Sequence, residues 1–256
     1  MAQALLSDRI NNMAVSQTLA MAAKARELRA SGKDIIGLSL GEPDFNTPDF
    51  VKKAAIEAIH QNYNTYTPVD GYADLKTAII HKFKRDNNLD YAPEQIVVST
   101  GAKQSLANVA MVLLNKGDEC ILPAPYWVSY AEIIKLAEAS PVIVRSGVEQ
   151  RFKITPEQLE DAITPKTKML MFSSPNNPSG AVYNEDELNA LAEVLKKHPQ
   201  IFVVSDEIYE HINYTGKHFS IAQIPEMYDR TIVVNGLSKA FAMTGWRLGY
   251  IGAPAF

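Results

Sequence analysis

The sequence predicts an α/β protein with a mostly parallel, doubly wound sheet and helices on both faces. Two patterns carry that prediction. Short, nearly continuous apolar runs recur at 95–99, 119–122, 142–144, 168–172, 201–204 and 231–234, and such runs mark strands covered on both sides. Helix-like stretches at 103–114, 128–139 and 185–197 lie between them, and this alternation is the mark of βαβ winding. A third observation sets the scale: 256 residues, 46% hydrophobic and 21% charged, suffice for a full core in one large domain or two.

Taken in order, the chain opens with an Ala-, Leu-, Lys- and Arg-rich stretch at 17–29, which Gly32 stops as a helix end. A short strand is expected at 34–40. The turn-rich Gly41-Glu42-Pro43-Asp44-Phe45-Asn46 follows. Thr47 then has the chemistry of an N-cap, with Pro48 at the first helical position of a helix running to about Gln61. These breaks mark a boundary between a small N-terminal lobe, 1–46, and the main domain, 47–256. In the third helix-like stretch, Asn184 and Glu187 are spaced as a capping box.

Composition narrows the function classes. Twenty-five Lys and Arg against 29 Asp and Glu leave no positive field to draw nucleic acid or an anionic membrane. The single cysteine, Cys120, excludes an internal disulfide framework and a cysteine-rich metal site, so no metal is expected. The longest apolar run in the first thirty residues is 19–23, too short for a secretory signal, and no stretch has the length of a membrane span. Cytoplasm is the expected location.

In a sheet of this kind ligands bind beyond the carboxyl ends of the strands, so the residues there carry the functional argument. After 95–99 comes Thr100-Gly101-Ala102-Lys103-Gln104, where a glycine turn and free N–H groups at a helix start suit phosphate. A plain βα turn explains the same glycine. Asp206, after 201–205, reads as a functional carboxylate or as a helix cap. Ser174-Pro175-Asn176-Asn177-Pro178-Ser179-Gly180 is dense in turn formers. Lys239 lies just past 231–234 in Asn235-Gly236-Leu237-Ser238-Lys239-Ala240-Phe241. Burial would lower its pKa toward the nucleophilic amine, whereas a solvated loop lysine would do nothing. A phosphate cradle, a carboxylate, an amide and an amine at one sheet edge together meet the needs of pyridoxal phosphate (PLP), which requires a lysine and an acidic partner for its ring nitrogen.

With Gly41-Glu42-Pro43-Asp44-Phe45, Tyr66-Thr67-Pro68, Gly101-Ala102-Lys103-Gln104, Pro125-Tyr126-Trp127, Asn176-Asn177-Pro178-Ser179-Gly180, Ser205-Asp206-Glu207-Ile208-Tyr209 and the run from Ser238-Lys239 to Gly249, the chain resembles the fold type I PLP enzymes. Within them it is similar to the class I and II aminotransferases, in particular the bacterial aspartate aminotransferase branch. The resemblance implies that Lys239 bonds the cofactor and moves the proton at the substrate α-carbon. It implies that Asp206 pairs with the ring nitrogen, that Asn177 and Tyr209 bond the phenolic oxygen, and that Trp127 stacks on the ring. The phosphate would take Gly101, the N–H groups of Ala102 and Lys103, Ser238, Arg247 and Tyr66 of a second copy, which implies a homodimer. Gly41, Trp127, Asn177, Thr18 and Lys103 would face the amino acid or 2-oxo acid, the last two favouring aspartate and 2-oxoglutarate.

Two departures qualify the resemblance. Gly236 stands where some relatives carry a phosphate-binding serine, which moves that role to Ser238. The family also continues beyond Phe256, and the arginine that clamps the substrate α-carboxylate belongs to that continuation. The 256 residues alone are expected to turn over poorly and to leave apolar surface uncovered. The alternatives are the same scaffold with another amino-acid preference or a β-lyase activity, and a non-catalytic PLP-binding domain.

Overall fold

The computed structural model describes residues 5–14, 17–37 and 41–255. Two helices, α1 (Asp8–Asn11) and α2 (Gln17–Ala30), precede α3 (Asp49–His60) and α4 (Ala73–Asn87). The winding then runs β1 (Ile96–Ser99), α5 (Ala102–Leu113), β2 (Glu119–Ala124), α6 (Ser129–Leu136), β3 (Ser140–Arg145), α7 (Pro156–Ala162), β4 (Thr167–Ser173), α8 (Glu185–Lys196), β5 (Phe202–Asp206), β6 (Thr231–Gly236) and β7 (Gly249–Gly252). The seven strands lie in the order β1-β7-β6-β5-β4-β2-β3. All neighbouring pairs are parallel except those of β7, which runs antiparallel to both β1 and β6.

Alternation along the strands builds a core on each face. Leu170, Phe172 and Val203 pack with Leu159 of α7 and Leu188, Leu191 and Leu195 of α8. Their strand neighbours Met169, Met171 and Val204 point the other way, onto Leu106 and Ala110 of α5 and Tyr130 and Ile134 of α6. Apolar runs without a polar phase are therefore what this sheet requires. Ile79 and Phe83 of α4 extend the core with Ile96, Val233 and Tyr250. The capping box of α8 is present: the Asn184 side chain accepts from Glu187 N–H, and the Glu187 carboxylate accepts from Asn184 N–H.

Two sequence expectations are corrected. The segment expected as a strand at 34–40 forms none over 34–37, where the Ile35 carbonyl is taken by the Arg29 guanidinium at 3.1 Å instead of a ladder partner. Residues 38–40 lie outside the described residues. Thr47 does not cap α3. Pro48 occupies the cap position without a side-chain bond, because the Thr47 hydroxyl donates to the Ala242 carbonyl at 2.6 Å. That long-range bond ties the approach to α3 to the loop after β6. α3 itself buries none of its residues, and Phe50, Ile56 and Ile59 are exposed.

Candidate active site

Asp206 ends β5 level with Ser173 of β4 and Val234 of β6, and it is only 4% exposed. Its Oδ2 accepts the Tyr130 hydroxyl at 2.6 Å and its Oδ1 accepts the Ile208 N–H at 3.2 Å. Burial raises its pKa from 3.8 to about 6, although both hydrogen bonds favour the charged form. Among the described residues no cation pairs with it directly, so a buried carboxylate faces the cleft with capacity for a protonated partner.

The loop that follows β6 brings Lys239 to the same cleft. Its Nζ donates to the Gly41 carbonyl at 2.6 Å and lies 5.6 Å from the centre of the Tyr209 ring. Partial burial lowers the pKa of the amine; Glu42 opposes the shift, Arg247 adds to it and Asp206 opposes it. Lowering favours the neutral amine that nucleophilic chemistry needs. The loop is strapped by the segment before α3, since Thr244 donates to Glu42 at 2.8 Å in addition to the Thr47 contact. Across the cleft, Asn177 Nδ2 donates to the Tyr209 hydroxyl at 3.1 Å.

The far end is cationic. Gly101 enters α5 at φ +89°, and a Cβ there would stand 2.1 Å from a guanidinium nitrogen of Arg247. The glycine thus permits both the turn and the close approach of Arg247. Arg247 is held by donation to the Thr244 carbonyl at 2.8 Å. The Lys103 ammonium sits 4.7 Å from the Trp127 ring centre, and partial burial, aided by Arg247, lowers its pKa. With the first N–H groups of α5 alongside, this is an anion cradle.

Gly41, Ala102, Lys103, Trp127, Asn177, Asp206, Tyr209, Ser238, Lys239 and Arg247 all line one cleft of about 740 Å³. Gly101 adjoins it through Ala102 and Arg247. Tyr66 is fully exposed and is not among the lining residues. Thr18 is the second residue of α2, and its side chain lies outside the described residues. Gly236 is buried at the end of β6, where a Cβ would meet the Leu248 carbonyl at 2.8 Å, so a serine there would need the β6–β7 pair to shift. The sequence reading missed Tyr130, whose only signal is an aromatic residue near a helix start, and Glu210, whose carboxylate binds Asn235 at 3.0 Å on the strand leading to Lys239.

The residues fit PLP by chemistry: an amine of lowered pKa, a buried carboxylate, a paired amide and phenol, and an anion cradle that only a glycine leaves open. Residues 33–255 match the family model described as aminotransferase class I and II. The chain belongs to this aminotransferase family. It is 52% identical over 252 residues to an aspartate/prephenate aminotransferase of Nitrosomonas europaea, covering 98% of this chain and 64% of that protein. An aspartate aminotransferase of Bacillus subtilis is 51% identical over 247 residues, covering 96% and 63%. The structure of the Thermus thermophilus aspartate aminotransferase with maleate superposes with a TM-score of 0.94 at 46% identity, over 97% of this chain and 64% of that one. This aminotransferase chain therefore spans just under two thirds of the length of these relatives.

Proposed function

We propose that the chain is the cofactor-holding part of a PLP-dependent aminotransferase that moves the amino group of L-aspartate to 2-oxoglutarate, giving oxaloacetate and L-glutamate. The observation that carries the reading is the convergence of the Lys239 amine and the buried Asp206 carboxylate on one cleft from the ends of neighbouring strands. When bound, PLP supplies an aldehyde for the amine and a ring that takes up electrons from the substrate carbon. Lys239 would hold the cofactor through its aldehyde and would carry the proton at the substrate α-carbon. Asp206 holds the proton of the ring nitrogen; Asn177 and Tyr209 donate to the phenolic oxygen. Trp127 covers the ring face. The N–H groups of Ala102 and Lys103, with Gly101, Ser238 and Arg247, hold the phosphate.

Lys103 and Thr18 are assigned to the side-chain carboxylate of an acidic substrate and Gly41 to its α-carboxylate. The exposure of Tyr66 suits a residue that completes the phosphate site of a second copy in a homodimer. Residues 1–46 are read as part of a small domain and 47–256 as the incomplete large domain. Among the described residues no helix is long and apolar enough to cross a membrane, and we place the protein in the cytoplasm.

Borohydride reduction with PLP followed by peptide mass mapping tests the central claim. The pyridoxyl adduct is expected on Lys239 and is expected to vanish in Lys239→Ala; an adduct on another lysine, or none, overturns the assignment. A second reading, a different amino-acid preference on the same scaffold, draws on relatives named for both aspartate and prephenate. A donor and acceptor panel that includes prephenate separates the two: aspartate is expected to convert the bound aldehyde to the amine first. Conversion by an aromatic amino acid without conversion by aspartate would reassign the substrate. PLP bound with no conversion by any donor would support a non-catalytic domain.

A further inference from the structure

A buried carboxylate can protonate or swing about its Cβ–Cγ bond unless its oxygens are held. Both oxygens of Asp206 are held, one by a backbone N–H and the other by Tyr130. Tyr130 is the second residue of α6, 1% exposed, with its ring edge-on to Trp127 at 5.6 Å. A phenol has one proton to give, and here it goes to Asp206. Ser173 lies beside the Tyr130 hydroxyl, where it opposes the rise of its pKa, and Ser173 Oγ accepts from Asn176 Nδ2 at 3.3 Å.

The polarity of these two bonds is fixed. An ionised carboxylate has no proton to return, so Tyr130 is the donor to Asp206, as Asn176 is to Ser173. Ser173 is 2% exposed and pairs in register with Asp206 across β4 and β5. Asn176 adjoins Asn177, which binds the Tyr209 hydroxyl. One loop therefore reaches both the strand neighbour of Asp206 and the phenol that flanks the cleft.

We propose that Tyr130, supported by Ser173 and Asn176, is the positioning residue that aims the Asp206 carboxylate at the ring nitrogen of the cofactor. The inference rests on the function proposed above. It differs from a packing role in one respect: Tyr130 acts on the ring nitrogen alone, through Asp206, and not on the phosphate or the aldehyde.

Binding of PLP and of its analogue with carbon in place of the ring nitrogen, measured on the same apo-protein, separates the roles. The unaltered chain is expected to prefer PLP. Tyr130→Phe is expected to shrink that preference about tenfold, the loss of one hydrogen bond to a charged group, with affinity for the analogue unchanged. Equal weakening toward both compounds overturns the inference, as does an unchanged preference. If Tyr130→Phe does not fold, Ser173→Ala keeps the ring in place and is expected to shrink the preference about threefold; no change there overturns the inference as well. Failure of the parent chain to form the Lys239 adduct would instead sink the proposed function itself.

Discussion

Asp206→Asn is expected to yield a chain that is more stable without cofactor at pH 7 and binds PLP about a hundredfold more weakly or worse. The two effects share a cause. Burial lifts the Asp206 pKa from 3.8 to about 6, so between these values the folded state binds more protons than the unfolded one. Stability then falls as pH rises through that window and stays lower above it. The difference corresponds to about 3 kcal/mol at pH 7. Asparagine avoids this cost while keeping an oxygen for the Ile208 N–H and offering its amide to the Tyr130 oxygen, but it no longer answers a protonated ring nitrogen. Urea unfolding at pH 4 and pH 7, with a PLP titration, checks both halves. A variant that is less stable at pH 7, or that binds PLP as well as the parent does, would refute the account.

Glu210→Ala is expected to destabilise the fold by about 3–5 kcal/mol, a large share of the 5–15 kcal/mol typical of a domain. Glu210 forms an ion pair with Lys82 of α4, takes the His211 imidazole at 3.1 Å and accepts from Asn87 and Asn235 at 3.0 Å each. Its side chain is 3% exposed and that of Lys82 13%. Alanine would leave two buried amides without that acceptor and the partly buried Lys82 ammonium without that counter-charge, with Asn87 Oδ1 at 2.7 Å left to it. Burial works against the charged carboxylate, yet His211, Lys82 and Asn87 outweigh it and hold its pKa at about 2. The resulting stability is complete above about pH 4.5 and drains away as pH falls toward 2. Glu210→Gln should lose that acid slope. A loss below about 1 kcal/mol in the alanine variant, the range of surface pairs, would show that the network is not stabilising.

What could be read in advance was local. Lys239, Asp206, Asn177 and Gly101 each stand just past an apolar run, where turn chemistry and strand ends are visible in a single sequence. Tyr130 could not be read this way. Its ring belongs to the core pattern of α6, while its hydroxyl serves a residue 76 positions away. Thr47 obeyed the local rule for a cap and was overruled by a distant carbonyl. The isoleucines at 35 and 36 have strand propensity, but the ladder needs a partner that the segment does not meet. Helix α4 was legible in the spacing of Leu75, Ile79, Ile80 and Phe83 and was passed over; its role in seating Lys82 against Glu210 was not. The direction of β7 was invisible because a strand buried on both faces has the same pattern either way up.

β7 also governs the order in which the sheet can be assembled. Among the described residues β1, at 96–99, has β7, at 249–252, as its one sheet neighbour. During synthesis the first strand of the sheet therefore emerges some 150 residues before the only strand that can receive it. The five strands from β2 to β6 can align as they appear and α5 can pack on them, but β1 has no strand to pair with among the described residues until four late residues slide in against the grain of the rest. Closure is thus a long-range, late event, and the anion cradle at Gly101 and Arg247 comes into being in the same step that completes the sheet.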